Sequence, residues 1–165
     1  MRAYEIHTPV KQVKRSSGRS SVAAAAYRSA SRLVDERTGI THDYTRKGGV
    51  EHSRIYLPDN APEWLVEAQA GGQFEARSKL WNAVESRERS DKASLAHEIE
   101  LGFPSEFNAM QRREAGDTIA RELVRRYGCA VDIAFHEPST EGDQRNYHAH
   151  ILFTQRTFDD QRPDG

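Results

Sequence analysis

The chain has little of what marks secreted and membrane proteins. It holds one cysteine, Cys129, among 165 residues, so a disulfide framework and a thiolate metal cluster are both excluded. Its apolar runs all fall short of the ~20 residues that a membrane-spanning helix needs, and no charged start with an apolar core marks a signal peptide. We therefore expect a protein of the reducing cytoplasm with no membrane partner.

Net charge is also almost absent, at −1, but the charges are unevenly distributed. Residues 1–57 carry a balance of +6, whereas residues 58–165 carry −7. A basic segment of this kind is typical of a phosphate-binding surface, although a solvated basic surface has the same pattern. The length predicts a single domain over residues 1–165, and we expect it to be the N-terminal fragment of a longer protein.

Hydrophobic periodicity and turn residues predict an α+β fold. Helices are expected at 20–33, 63–70, 73–89 and 104–127, and strands at 3–10, 50–57, 94–103, 131–136 and 147–154. Residues 11–20 and 35–49 are rich in small and turn-forming residues and are expected to be exposed loops. Such an order of elements is typical of an antiparallel or mixed central β-sheet with helices packed on one face.

Three histidines form the sharpest local pattern. His148 and His150 are two apart in a predicted strand and therefore share one face. His136 ends the preceding strand, and the 11 residues between it and His148 suit a hairpin with a long loop. Three imidazoles on one face can hold a divalent metal and leave positions open for substrate. A buried structural pair is the alternative for His148 and His150 taken alone.

A carboxylate and a phenol are the other candidate site groups. Glu98 and Glu100 alternate with apolar residues, so a continuous sheet would place both on the imidazole face, either to orient a ligand or to act as a base. Solvated edge-strand charges are the alternative. Tyr27 lies in an alanine-rich helix with Arg28 and Arg32, which suit phosphate. By itself, such a tyrosine is most often a boundary residue of the core.

Several separated motifs resemble the MobA/MobL conjugative relaxases, which are MobQ-type members of the HUH endonuclease superfamily, and TraA-like proteins. The similarity runs from about residue 3 to residue 156. The motifs are Ser29-Ala-Ser-Arg-Leu after Tyr27, the stretch 35–44, Leu80-Trp81, His97-Glu-Ile-Glu-Leu-Gly-Phe-Pro and Tyr147-His-Ala-His-Ile-Leu.

The resemblance implies a metal-dependent, site- and strand-specific DNA nickase. Such an enzyme cleaves plasmid origin-of-transfer DNA through a 5′-phosphotyrosyl intermediate and so starts conjugative transfer. Tyr27 matches the family's catalytic tyrosine, and His136, His148 and His150 match its metal-binding triad. Glu98 is a candidate for an accessory catalytic role. Manganese or magnesium is the expected metal, with zinc and nickel as further occupants, since nitrogen ligands also suit these softer ions.

The resemblance also implies partners: single-stranded origin DNA with an adjacent hairpin, relaxosome accessory proteins and the type IV secretion coupling protein. The basic residues expected to hold the DNA are Lys11, Lys14, Arg15, Arg19, Arg28, Arg32, Arg46 and Lys47.

Three other functions stay open at this point. They are a nuclease that uses metal-activated water, a rolling-circle replication initiator of the same superfamily, and a non-enzymatic module that binds single-stranded DNA. Tyr27 precedes the histidine pair in the chain, an order that favours a relaxase over a replication initiator.

Overall fold

The computed structural model describes residues 10–158, so residues 3–9 of the first expected strand lie outside it. Within this range the chain forms seven strands and four α-helices. In chain order they are β1 (Lys11–Lys14), α1 (Ser21–Ser29), β2 (Arg32–Asp35), β3 (Ile40–Asp43), β4 (Val50–Tyr56), α2 (Glu63–Ala70), α3 (Gln73–Arg87), β5 (Ser94–Gly102), α4 (Ala109–Tyr127), β6 (Val131–His136) and β7 (His148–Phe153).

Five of these strands form one sheet in the order β1-β5-β7-β6-β4, and every neighbouring pair is antiparallel. Strands β2 and β3 pair separately as a two-stranded hairpin. The predicted α+β class with an antiparallel central sheet is therefore confirmed. The sheet register places His136 directly opposite His148, and Glu100 opposite His150.

The packing differs from the expectation in one respect, because helices cover both faces of the sheet. Helices α1 and α3 share a core with Ile55 and Leu152, whereas α4 shares a second core with Ile133, Phe135 and Ile151. Alternate residues of β6 and β7 point to opposite faces, and all six residues of β6 are buried. A strand buried on both faces needs cover on both faces.

Three stretches adopt a different local structure from the one expected. Residues 11–14 form edge strand β1 rather than a loop, and β2 and β3 form a hairpin within and beside the expected excursion at 35–49. Helix α1 ends at Ser29 instead of near Leu33, since Ala30 adopts a left-handed conformation with φ 53° and ψ 45°. Glycine usually occupies this position at a helix end, because the left-handed conformation costs an alanine roughly 1–2 kcal/mol. The sequence has no glycine here, so it does not predict this end of the helix.

A buried ion pair fastens α3 to the sheet. The Arg77 guanidinium donates two hydrogen bonds of 2.9 Å to the Asp132 carboxylate, and Trp81 Nε1 donates a third, also of 2.9 Å. Both charged side chains are almost fully buried, at 3% and 4% exposure. Because each charge is desolvated, each depends on the other for its stability in the interior.

The same helix fixes the start of α1. Glu85 Oε1 accepts hydrogen bonds from the main-chain nitrogen and the hydroxyl of Ser21, at 2.8 and 3.2 Å, and its Oε2 binds Arg15 at 2.7 Å. Ser20 caps the helix by accepting from Ala23 N. Helix α3 therefore positions α1 over the sheet. None of the helices between residues 10 and 158 combines the length and the apolar character that crossing a bilayer requires.

Replacing Asp132 by alanine should lower the free energy of unfolding by about 3–5 kcal/mol, because it leaves the Arg77 charge buried without its partner. Urea denaturation followed by circular dichroism measures this loss. Asp143→Ala, which removes an exposed partner of Arg145, is the control and should leave the free energy nearly unchanged. Equal losses in both variants would contradict the role of the buried pair.

Candidate active site

Three histidine side chains converge at one end of the central sheet. His136 is the last residue of β6, and His148 and His150 belong to the first half of β7, across the hydrogen-bonded ladder from it. The ring centroids are 4.7 to 5.3 Å apart, and the nitrogens that could bind a metal all lie within 4.8 Å of one another. The register of β6 and β7 therefore brings the three imidazoles together, as a hairpin between the two strands predicts.

Main-chain carbonyls set the orientation of two of the rings. His136 Nε2 donates to the carbonyl of Arg28 at 2.8 Å, and His148 Nδ1 donates to the carbonyl of Asn146 at 3.0 Å. A carbonyl only accepts, so these nitrogens carry the ring hydrogens. The lone pair then lies on Nδ1 of His136 and on Nε2 of His148. Metal-binding histidines commonly have this arrangement.

The surroundings of the rings favour their neutral form. Burial and, to a smaller degree, the charge of Lys47 lower the pKa of His136 to about 4. Burial and the charge of Arg28 lower the pKa of His150 to about 2. A metal ligand must be unprotonated, and both rings meet that condition at neutral pH. Three converging nitrogen donors fit a divalent metal and leave coordination positions for a substrate.

Tyr27 lies near the C-terminal end of α1, one residue before Arg28. Its side chain is 43% exposed, and the ring contacts Tyr44 edge-on at 5.1 Å. The Lys47 ammonium lies 3.8 Å from the ring centroid and donates to the Tyr27 carbonyl at 2.9 Å. Arg28, the next residue, contacts two of the three histidines, His136 and His150. The phenol is thus accessible and has two cations beside it.

Glu98 lies on the imidazole face, as expected from the alternation in β5. Its carboxylate is 6% exposed, and Oε1 accepts from Arg28 Nε at 2.8 Å while Arg28 Nη2 lies 2.6 Å away. Arg19 Nη2 reaches the other carboxylate oxygen at 3.4 Å. The partners of this carboxylate are therefore two guanidinium groups. Glu100 lies on the same face, opposite His150 in the register.

The predicted DNA-binding residues fall into different environments. Arg19 and Arg28 line a groove of about 540 Å³ that runs beside α1 to Tyr27. Lys47 covers the Tyr27 ring. The other exposed members of the set lie on the edge strand β1 or on and after the β2–β3 hairpin; they are Lys11, Lys14, Arg32 and Arg46.

Arg15 has a different environment from the rest of the set. Its guanidinium binds the Glu85 carboxylate and donates to the carbonyls of Glu85, Glu88 and Ser90. The side chain is 8% exposed. These bonds hold the segment before α1 against α3, and the side chain also borders the groove beside α1.

The opposite wall of the groove was missed by sequence reasoning. Arg37, Ile40 and His42 of the β2–β3 hairpin face α1 across it. The pattern that could have revealed the hairpin is a short loop ending in Thr38-Gly39 between two extended runs, with Gly39 at φ 74°. The many turn-forming residues of this stretch outweighed that pattern.

Comparison with known proteins places the chain among mobilization proteins. The sequence model of the MobA/MobL family matches residues 19–164. The mobilization protein MobL of Acidithiobacillus ferridurans is 39% identical over 90% of this chain and 42% of its own length. The conjugal transfer protein TraA of Rhizobium radiobacter is 33% identical over 94% of this chain and 14% of its own length. The chain thus spans less than half of either relative.

A solved structure has the same fold. It comes from work on the molecular basis of vancomycin resistance transfer in Staphylococcus aureus, and it superimposes with a TM-score of 0.78 at 33% identity. The superposition covers 93% of this chain and 71% of the other. The family match includes the positions of Tyr27, Glu98 and the three histidines. The chain therefore belongs to the MobA/MobL family.

Proposed function

We propose that this chain is the nicking domain of a conjugative relaxase. It would cleave one strand of plasmid origin-of-transfer DNA at a specific site and stay linked to the 5′ end through Tyr27. The observation that carries the proposal is the position of this accessible tyrosine, one residue before Arg28, whose carbonyl and guanidinium both contact the histidine triad. The similarity to MobL and TraA proteins supports a role in conjugative transfer.

The triad would hold a divalent metal. His136 would bind through Nδ1 and His148 through Nε2, because their other ring nitrogens donate to carbonyls. Manganese or magnesium is the proposed ion, with zinc and nickel as further candidates. When bound, the metal would polarise the scissile phosphate and offset the negative charge that develops on it.

Tyr27 would provide the nucleophile. Its hydroxyl loses a proton to solvent and its oxygen attacks phosphorus in line. The bond between phosphorus and the 3′ oxygen breaks, and the leaving oxygen takes up a proton from solvent to become a 3′-hydroxyl. One phosphodiester replaces another, so rejoining needs no external energy source. Lys47 and Arg28, beside the phenol ring, attract the phosphate that Tyr27 attacks.

Single-stranded DNA would follow the groove between α1 and the β2–β3 hairpin. Ala23 and Ala24 keep one wall of this groove slim, and Arg19 and Arg37 offer guanidinium groups on opposite sides. Phosphate contacts of this type position a strand without specifying its sequence. The exposed cations Lys11, Lys14, Arg32 and Arg46 would extend the surface toward the adjacent hairpin DNA.

The proposed setting is the cytoplasm, in a relaxosome with accessory proteins and the type IV secretion coupling protein as partners. This proposal is supported by the similarity to TraA, which is named as a conjugal transfer protein.

Replacing both His148 and His150 by alanine should abolish manganese binding, measured by calorimetry, because one ligand remains. The fold should persist, since polar residues that form a site often cost stability. His42→Ala, which removes a histidine of the groove, is the matched control and should bind as the wild type does. Unchanged affinity in the double variant would defeat the metal assignment.

Tyr27→Phe removes only the phenolic oxygen and keeps the ring contacts. The variant should bind metal and DNA normally, form no covalent adduct and show almost no cleavage, as judged on a denaturing gel with origin single-stranded DNA and manganese. Tyr44→Phe, which alters the ring partner, should retain the adduct. Nicking by Tyr27→Phe at the wild-type rate would favour a nuclease that uses activated water. Binding without any nicking by the wild type would favour a DNA-binding module.

The combined replacement of Arg19 and Arg37 by alanine should flatten the salt dependence of single-stranded DNA binding. The slope of log affinity against log salt is negative, and its magnitude should decrease by ~1.4, since each lost phosphate contact removes about 0.7. Fluorescence anisotropy over a salt series measures the slope. Arg121 and Arg125, exposed cations of α4, provide the control double variant. A slope that stays at the wild-type value would exclude the groove as the path of the strand.

A further inference from the structure

Arg28 contacts the triad in two different ways. Its main-chain carbonyl accepts the hydrogen on His136 Nε2, and its guanidinium nitrogen Nη1 lies 3.4 Å from His150 Nε2. A guanidinium can only donate, so Nε2 of His150 is the acceptor in this contact. The lone pair of that nitrogen therefore points at Arg28. The same lone pair is the one that a metal ion bound at this nitrogen would use.

The guanidinium is held in this place from its other side. Two of its nitrogens, Nε and Nη2, lie 2.8 and 2.6 Å from Glu98 Oε1. The Glu98 carboxylate is buried, so its charge is poorly screened and its attraction for the guanidinium is strong. Arg28 is thus fixed between a carboxylate and an imidazole, instead of moving freely at the surface.

We propose that Arg28 is a positioning residue that competes with the metal for Nε2 of His150. Without metal, the guanidinium occupies the lone pair and keeps the ring in place; with metal, the guanidinium must leave that nitrogen, since one lone pair serves one partner. This inference rests on the proposed function, because it requires that the triad bind a metal. Once displaced, the guanidinium stays tethered to Glu98, one residue from Tyr27, and is then available to a phosphate.

The same argument assigns a role to Glu98. Its carboxylate retains the displaced guanidinium and offsets the repulsion between Arg28 and the metal ion. Glu98 therefore acts through Arg28 in this account, and it removes no proton from Tyr27. Arg19 is a useful contrast, because it binds the same carboxylate at 3.4 Å and, among residues 10–158, forms no hydrogen bond to a histidine.

The test is the affinity for manganese alone, measured by calorimetry on the whole chain. Arg28→Met removes the competing donor and should tighten binding about tenfold, the size expected for the loss of a charge-assisted hydrogen bond. Arg19→Met removes a cation from the same carboxylate and leaves the hydrogen bond between Arg28 and His150 in place. It should bind manganese within about twofold of the wild type.

Two additions keep the test decisive. Should Arg28→Met fold poorly with Glu98 left short of a partner, the double variant Arg28→Met/Glu98→Gln can be compared with Glu98→Gln, and the same tightening is expected. In the metal-free protein, the nitrogen-15 shift of His150 Nε2 should change in Arg28→Met and stay constant in Arg19→Met.

The outcomes separate this inference from the function on which it rests. A wild-type chain that binds no manganese would overturn the proposed metal site itself. A wild type that binds, with Arg28→Met at the same affinity, would overturn the competition and leave the proposed function standing. Equal tightening in Arg28→Met and Arg19→Met would show an effect of charge alone and would also overturn the competition.

Discussion

The buried carboxylate of Asp132 is the anchor for everything that surrounds the site. It fastens α3 to β6 through Arg77 and Trp81, and α3 in turn fixes the start of α1 through Glu85. Helix α1 then returns to the same strand, where the Arg28 carbonyl accepts from His136. The path begins and ends on β6, four residues apart. Helix α1, which carries Tyr27, and the strand that carries His136 are therefore held in one closed circuit of polar contacts.

Much of the site could be predicted because it depends on strand periodicity. Alternation in a strand puts His148 and His150 on one face, and antiparallel pairing puts His136 beside them, whatever the rest of the chain does. The carboxylate face of β5 follows from the same rule. These relations depend only on the order of residues within a strand and on the pairing of neighbouring strands, so they can be inferred from a single sequence.

The parts that could not be predicted depend on contacts between distant segments. Arg15 has the sequence pattern of a surface cation, but in the fold it forms an ion pair with Glu85, 70 residues away. Glu98 has the sequence pattern of a base or of a solvated charge, whereas in the fold Arg28, 70 residues before it, binds its Oε1. In both cases the deciding partner is far along the chain, and composition and spacing carry no record of it.

The distribution of site residues along the chain also determines when the site can form. The contacts of Arg28 with His136 and His150 join residues 108 and 122 positions apart. Such long loops close late, because their entropy must be lost before any contact stabilises them. A growing chain on the ribosome therefore carries its tyrosine long before β7 supplies two of the three histidines. Because His148 and His150 arrive on the same strand, the triad is completed in one step, and an N-terminal piece that stops before β7 lacks it.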